Sequence, residues 1–226
     1  MDLQLEERVI LVVGGHGLVG SAVVARLRAE GAIVVPASRH APDGIRMDAA
    51  DDASVTAGIA QVIADHERLD GVVVAAAPSA RTLDPDRNSD PEQVVDAIEG
   101  KAMTFLRVAN AAIPYLVERG YGRVVGVSGQ GAFVTGNITG SVRNAALIVI
   151  AKNLADKVAG TGVTVNAVNP GIVTPTPQTD IPVGIGGQSR PSDSADLIAF
   201  LVSPLAGAIS GESIAVGHRV RGVANL

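Results

Sequence analysis

The segment at 9–21 places four glycines between an apolar run and a helical pattern. Gly14 can adopt the backbone angles of a tight turn, Gly17 lacks a Cβ and lets a phosphate approach the backbone, and Gly20 lets the helix pack closely against the strand. The N-terminus of such a helix presents unpaired N–H groups and positive dipole character. This spacing predicts a site for the pyrophosphate of a dinucleotide. The predicted contacts of this turn are Gly14, His16, Gly17, Leu18 and Val19.

The end of the second predicted strand indicates which dinucleotide would bind. An acidic residue there typically binds the ribose 2′-hydroxyl of NAD, but this chain has Ser38 and Arg39. A hydroxyl and a guanidinium suit a 2′-phosphate, since arginine offers a charged fork. The sequence therefore predicts NADP(H) over NAD(H), with a solvated surface arginine as the alternative. Asp48, after the third strand, can accept a hydrogen bond from the adenine amine or can cap the following turn.

Short β-branched apolar runs alternate with longer amphipathic stretches along the whole chain. This alternation is typical of an α/β fold in which helices cover both faces of a parallel sheet. We therefore predict one doubly wound, Rossmann-type domain spanning residues 1–226. Strands are expected at 9–13, 33–35, 45–47, 72–76, 123–127, 163–165 and 214–216, and helices at 18–30, 53–66, 91–118 and 141–159.

Three stretches rich in Pro, Gly and small polar residues read as loops, at 78–91, 129–140 and 169–191. Each follows a predicted strand, so all three should lie at the carboxyl edge of the sheet. Ligands bind at that edge in open α/β sheets. The third stretch is the expected substrate loop.

Composition excludes several classes of protein. A net charge of −5 argues against a large nucleic-acid footprint. The chain has no cysteine, which excludes disulfides, thiolate catalysis and cysteine-based zinc sites. Its acidic N-terminus lacks the pattern of a signal peptide, and no apolar run is long enough to span a bilayer. We expect a cytoplasmic protein that binds a small molecule rather than nucleic acid or membrane.

Three further segments carry a family resemblance. They are Leu-Asp-Gly-Val-Val-Val at 69–74, Gly-Tyr-Gly-Arg-Val-Val-Gly-Val-Ser at 120–128 and Gly-Val-Thr-Val-Asn-Ala-Val-Asn-Pro-Gly-Ile-Val-Thr at 162–174. With the glycine turn, they make the chain resemble the short-chain dehydrogenase/reductase family almost from end to end. The resemblance implies a seven-stranded parallel sheet, hydride transfer between NAD(P)(H) and a carbonyl or alcohol, and a homodimer or homotetramer.

The resemblance also assigns further contacts with the cofactor. Two alanines follow the fourth strand, and the Pro-Gly loop is the segment that meets the nicotinamide in the family. A threonine of this loop, either Thr174 or Thr176, would bind the carboxamide. The implied contacts are Ala75, Ala76, Pro170, Gly171, Val173 and Thr174.

The active site that the family implies contains Asn, Ser, Tyr and Lys, with tyrosine as the proton donor. Alignment of the motifs places Gly100, Gly129, Gly140 and Asn144 at these four positions. Ser128, next to the serine position, is the remaining candidate catalytic residue. Its alternative role is structural, with its hydroxyl at the end of a strand hydrogen-bonded within the protein.

Other charged groups near this site are expected to be structural. Glu99 and Lys101 read as a solvated pair, and Arg143 should point away from the site because it lies about 100° around the helix from Asn144. Three functions stay open on this sequence. They are an NADP(H)-dependent oxidoreductase with an unusual proton source, a non-redox sensor or inactive partner subunit, and a lyase or isomerase.

Overall fold

Strands and helices alternate in the computed structural model, which describes residues 2–79 and 82–224. The strands are β1 Val9–Val13, β2 Ile33–Ser38, β3 Ile45–Arg46, β4 Gly71–Val74, β5 Gly122–Val127, β6 Val163–Pro170, β7 Ile172–Val173, β8 Gln188–Ser189 and β9 Ser213–Val216. Seven of them form one parallel sheet in the order β3-β2-β1-β4-β5-β6-β9, while β7 and β8 pair separately. The α/β fold and the parallel sheet predicted from the sequence are confirmed.

Six α-helices of the described residues pack on the sheet, and the cores on its two faces are separate. The helices are α1 Leu18–Ala29, α2 Asp52–His66, α3 Pro91–Ile98, α4 Thr104–Glu118, α5 Ile138–Lys157 and α6 Pro191–Val202. Helices α1 and α6 cover one face, and α2, α4 and α5 cover the other. Because both faces are covered, the central strands are apolar throughout, as β1 and β4 show by being buried at every residue.

The strand order reverses its direction of growth between β1 and β4. At such a switch point the connections leave to opposite sides and open a crevice at the carboxyl edge of the sheet. Gly14, Ala75, Ser128 and Gly171 each follow one of the neighbouring strands β1, β4, β5 and β6. The fold thus brings the ends of all four strands to one edge.

Several elements differ from the sequence prediction. Helix α6 was not predicted, because the Pro/Gly-rich stretch before it hid the start signal of Pro191 at the first helical position with Asp193 in the first turn. Helix α5 begins at Ile138 rather than at 141, since the side chain of Asn137 accepts a hydrogen bond from the N–H of Gly140 and caps the helix. The loop at 169–191 also contains the end of β6, β7 and β8.

The helix at 91–118 is interrupted. Residues Glu99–Met103 form a π-helical turn between α3 and α4. Such turns widen the helix by one residue and occur often at functional sites. No helix in the described part of the chain is long and apolar enough to cross a membrane.

Candidate cofactor and substrate site

The glycine turn has the left-handed backbone at Gly14 and the close packing at Gly20 that its spacing predicted. Gly14 adopts a φ of +83°, and a Cβ there would lie 2.5 Å from the backbone nitrogen of Ala76. A Cβ on Gly20 would lie 2.0 Å from the carbonyl oxygen of Gly14. Gly17 caps α1 without any side-chain hydrogen bond, and no acidic residue stands in the first turn. The N–H groups of Leu18 and its neighbours therefore stay available, so this cradle fits a phosphate group.

Beside the turn, His16 links the first two strands by hydrogen bonds. Its Nδ1 lies 2.9 Å from the hydroxyl oxygen of Ser38, and its Nε2 lies 2.8 Å from Oδ1 of Asp43. Arg28 approaches the same carboxylate at 3.6 Å. The hydrogen bond with His16 is the main cause that lowers the pKa of Asp43. Sequence reasoning did not anticipate Asp43, which follows the second strand within a turn.

The other two residues of the predicted adenosine end are exposed. Arg39 makes no hydrogen bond or ion pair with any described residue, so its guanidinium is free to meet a ligand. Asp48 accepts a hydrogen bond from the N–H of Ala50 at 3.1 Å, and its own N–H donates to the hydroxyl of Ser54 at 2.9 Å. Asp48 thus fills the turn-capping role considered for it, and its contact with adenine stays a prediction.

A cavity of about 890 Å³ opens at the carboxyl edge of the sheet. It brings together residues from the start of α1, the end of β5 and the Pro-Gly loop that were singled out in the sequence. These are Leu18, Val19, Ser128, Pro170, Gly171 and Val173. A smaller cavity of about 330 Å³ is lined in part by His16. The predicted residues that line neither cavity are Gly14, Gly17, Ser38, Arg39, Asp48, Ala75, Ala76 and Thr174.

The Pro-Gly loop is held close to the last strands. The N–H of Gly171 donates to the carbonyl of Val216 at 3.2 Å, and a Cβ on Gly171 would lie 1.9 Å from the carbonyl oxygen of Gly187. The N–H of Thr174 donates to the carbonyl of Ser189 at 2.9 Å. Thr174 is half-buried and Thr176 is exposed. The loop therefore has little freedom to move without disturbing β8 and β9.

Ser128 lies in the wall of the larger cavity, but its hydroxyl is already engaged. It donates to the backbone carbonyl of Asn144 at 2.9 Å. Gly129, Gly140 and Asn144 line the same cavity. Gly100 does not line it. A Cβ at Gly100 would lie 3.0 Å from the ring of Pro78. The catalytic role of Ser128 stays a prediction.

Neither tyrosine of the chain lines this cavity. Tyr115 lies on α4 and is 40% exposed. Tyr121 lies before β5, with the guanidinium carbons of Arg8 and Arg123 each 4.4 Å from its ring centroid. A phenol is therefore absent from the described wall of the site.

The expectation that Lys101 forms a solvated pair with Glu99 is wrong. Glu99 pairs with Arg107 instead, and Lys101 turns inward, where it is only 7% exposed and lines the larger cavity. Its Nζ donates to the carbonyl of Ser128 at 2.9 Å. Burial, with a smaller contribution from Arg143, lowers the pKa of Lys101 to about 7. The π-helical turn, invisible in a pattern that assumes a regular helix, sets the direction of this side chain.

The expectation that Arg143 points away from the site is also wrong. It is 4% exposed, lines the larger cavity and donates through Nη1 to the carbonyl of Pro78 at 3.2 Å. Its Nε is buried and has no hydrogen-bond partner, and burial lowers its pKa. A helix position fixes only where the side chain starts, and the long arginine stem spans the angular difference.

Gln130 is a further member of the wall that sequence reasoning missed. Its Nε2 donates to the carbonyls of Val216 and His218, while its Oε1 is buried without a partner. Gln130 thereby ties the end of β5 to the end of β9. No short-range pattern could have found this contact, because its partners lie far along the chain.

Comparison with known proteins places this chain in a family. A family model described as enoyl-(acyl carrier protein) reductase matches residues 18–218. The chain is 30% identical to 3-oxoacyl-[acyl-carrier-protein] reductase FabG of Rickettsia bellii, over 95% of this chain and 97% of the relative. It is 27% identical to the protein of the same name from Escherichia coli, over 95% and 97%.

Solved structures show the same fold. The crystal structure of Cj0485 dehydrogenase matches with a TM-score of 0.83 at 19% identity, covering 95% of this chain and 94% of that one. The sequence matches extend over nearly the whole chain. The protein belongs to the short-chain dehydrogenase/reductase family.

Proposed function

We propose that this protein binds NADP(H) and acts as an oxidoreductase of its family on a small molecule held in the larger cavity. One observation carries the proposal. The cavity of about 890 Å³ is bounded on one side by the start of α1 and on another by the Pro-Gly loop. In a switch-point crevice these two elements are suited to the pyrophosphate and to the nicotinamide of one dinucleotide.

The residues at the site have distinct roles in this proposal. The N–H groups after Gly17 receive the pyrophosphate, and Ser38 with Arg39 binds the 2′-phosphate. Thr174, or else Thr176, binds the carboxamide. When bound, the nicotinamide supplies or accepts a hydride. Arg39 supports the preference for the phosphorylated cofactor because it is exposed and unpaired among the described residues.

Titration with NADPH and NADH, followed by the fluorescence of the reduced nicotinamide, tests the cofactor proposal. We expect NADPH to bind at least about tenfold more tightly, as one additional charge-assisted interaction provides. Tighter binding of NADH would overturn the preference. Oxidation of NADPH across a panel of carbonyl compounds then tests the redox activity, and turnover at ordinary rates would support it.

A second function is favoured by one observation at the same site. Neither tyrosine of the chain lies in the described wall of the cavity. The motif alignment made from the sequence predicts Gly100, Gly129, Gly140 and Asn144 at the positions of the family's Asn, Ser, Tyr and Lys. Loss of a general acid costs about 10²–10⁴-fold in rate. The alternative is therefore a sensor or an inactive partner subunit that binds NADP(H) without turnover, or a lyase or isomerase. Tight NADPH binding with no oxidation across the panel would favour it.

We also propose that the protein forms a cytoplasmic homodimer or homotetramer through α4 and α5. Support comes from apolar side chains exposed on these two helices. They are Tyr115, Val117, Ile138, Val142 and Val149. Sedimentation analysis of the purified protein tests the assembly, and a monomer at micromolar concentration would contradict it.

A further inference from the structure

The larger cavity has an unbalanced charge. Its described wall contains the cations Lys101 and Arg143 and neither an Asp nor a Glu. Both side chains are more than nine-tenths buried, at 7% and 4% exposure. They lie close enough for Arg143 to repel the charged form of Lys101. Burial of one unpaired charge is costly, and burial of two of the same sign is more so.

Both cations also keep most of their hydrogen-bonding capacity. Lys101 uses one of its three ammonium donors, on the carbonyl of Ser128 at 2.9 Å. Arg143 uses one of its five, on the carbonyl of Pro78 at 3.2 Å, and its Nε is buried with no partner. The nearby acid Glu99 is taken by Arg107. Within the described residues, nothing neutralises either cation.

An anion is the ligand that this arrangement fits. Nη1 of Arg143 donates to the carbonyl of Pro78, while its Nε has no partner and its Nη2 makes no hydrogen bond with a described residue. A guanidinium with donors to spare is suited to the oxygens of a carboxylate. Lys101 adds a second positive charge from a different element, because it lies on the π-helical turn whereas Arg143 lies on α5.

The rest of the wall indicates what the anion is attached to. Most of the other side chains there are apolar, and the volume of about 890 Å³ lies in the range of sites for small organic ligands. Away from the start of α1 and the Pro-Gly loop, which the proposed cofactor would contact, the wall still has the aliphatic side chains of Leu83, Val127, Val134, Ile185 and Val220.

We propose that Lys101 and Arg143 form a carboxylate-binding site, so that the cavity takes a carboxylic acid with an apolar body. The role of that acid, as a substrate or a regulator beside the cofactor, rests on the proposed function. The binding itself needs neither redox turnover nor NADP(H).

Protonation of Lys101 should be coupled to this binding. Its pKa of about 7 means that a neutral amine and an ammonium coexist near neutral pH, and an adjacent carboxylate favours the ammonium. No charged group on the described elements packed around Lys101 competes with the carboxylate for its ammonium. Arg143 of α5 is a cation, because an arginine side chain keeps its proton at neutral pH. Glu99 pairs with Arg107, and the acids of α3, Glu92 and Asp96, are exposed.

Calorimetric titration with hexanoate and with hexanamide, in the presence and absence of saturating NADPH, tests the proposal. The two probes have nearly the same shape and differ in charge. We expect hexanoate to bind at least about tenfold more tightly than hexanamide, as a charge-assisted hydrogen bond provides. Its Kd should rise by up to about tenfold per pH unit above neutrality as Lys101 loses its proton. Inorganic phosphate, titrated in parallel, distinguishes a carboxylate site from a general anion site.

Four variants locate the binding. Lys101→Met and Arg143→Met should each weaken hexanoate at least about tenfold and leave hexanamide unchanged. Arg143→Lys keeps the charge and should retain part of the affinity. Lys152→Met, on the exposed side of α5, is the matched control and should bind hexanoate like the wild type.

Three results would overturn the proposal. They are equal binding of the two probes, unchanged hexanoate affinity in folded Lys101→Met and Arg143→Met, and binding of phosphate without hexanoate. Failure of the proposed function looks different. In that case hexanoate binds and responds to the variants, while NADPH does not bind or is not oxidised.

Discussion

The two edges of the parallel sheet differ in whether their buried charged side chains have partners of opposite charge. At the amino edge, Asp70 is 2% exposed and accepts two hydrogen bonds from Arg68, at 2.8 and 2.7 Å, and one from the N–H of Val9 at 2.9 Å. Arg8 approaches the same carboxylate at 3.3 Å. At the carboxyl edge, the described wall of the cavity holds cations without any carboxylate.

The difference separates a structural cluster from a site. Asp70 is fully paired, and its carboxylate joins the starts of β1 and β4, so the chain itself completes the interactions. Lys101 and Arg143 each have one carbonyl partner and spare donors. Buried polar groups are normally satisfied within a protein. The spare donors of these two cations are the groups that the proposed carboxylate would satisfy.

The largest expected effect is on the glycine turn, because a change there should remove cofactor binding while leaving the amino edge intact. Gly20→Ala places a Cβ 2.0 Å from the carbonyl oxygen of Gly14, so the turn must shift. We expect NADPH affinity to fall by more than about 100-fold, equivalent to about 3 kcal/mol. Titration of nicotinamide fluorescence measures it. Ser21→Ala, in the same helix, is the control, and wild-type affinity in Gly20→Ala would refute the assignment.

At the amino edge, Asp70→Ala should destabilise the protein by about 2–3 kcal/mol, because it leaves buried donors unpaired. Burial opposes ionisation of Asp70, but hydrogen bonds from Arg68 and from Val9 outweigh it and lower its pKa. The stabilisation is therefore present at neutral pH and lost as the pH falls through that lowered pKa. Urea denaturation measures the change.

The control for Asp70→Ala is Asp156→Ala, which removes an exposed ion pair with Lys152 and should cost under about 1 kcal/mol. Equal effects of the two substitutions would show that the amino-edge cluster has no special structural role. NADPH affinity should be unchanged in both variants.

A smaller effect is expected at the adenosine end of the carboxyl edge. Arg39→Ala removes an exposed guanidinium and should weaken NADPH by about tenfold or somewhat more, with NADH nearly unaffected. The ratio of the two dissociation constants is the measurement. Arg46→Ala, an exposed arginine in β3, is the matched control. Equal weakening of both cofactors by Arg39→Ala would contradict a 2′-phosphate contact.

The smallest effect concerns stability at the cavity itself. The folded protein lowers the pKa of Lys101, so the ammonium form destabilises the folded state at pH values below that pKa. This destabilisation decreases as the pH rises from that pKa toward the pKa of lysine in the unfolded chain. Lys101→Met should therefore be more stable than the wild type by about 1 kcal/mol near neutral pH. The advantage should shrink above about pH 7, by at most about 1.4 kcal/mol per pH unit. Denaturation at several pH values measures it, and a pH-independent difference would argue against a buried cation.

The sequence predicted the fold because local patterns and tertiary structure agree there. The run at 72–76 had no polar face, as a central strand of a covered parallel sheet requires. The contact of Gly20 follows from its spacing for the same reason, since a Cβ there would strike the carbonyl oxygen of Gly14 in the same turn. The contact of Gly14 is different, because a Cβ there would strike the backbone of Ala76 after β4, far along the chain.

The cavity wall was not predictable in the same way. Lys101 looks like any surface lysine beside a glutamate, and its burial depends on a π-helical turn and on the end of β5. Arg143 reaches the carbonyl of Pro78, which lies in another loop. Both contacts connect residues far apart in the chain, and helical periodicity carries no information on such contacts.

A crystal structure of the protein grown with NADPH and hexanoate tests the account most directly. We expect the pyrophosphate at the N-terminus of α1 and the nicotinamide against the Pro-Gly loop. We expect the hexanoate carboxylate within hydrogen-bonding distance of Lys101 Nζ and of the guanidinium of Arg143. Density for the carboxylate elsewhere, with both cations still unpaired, would contradict the account.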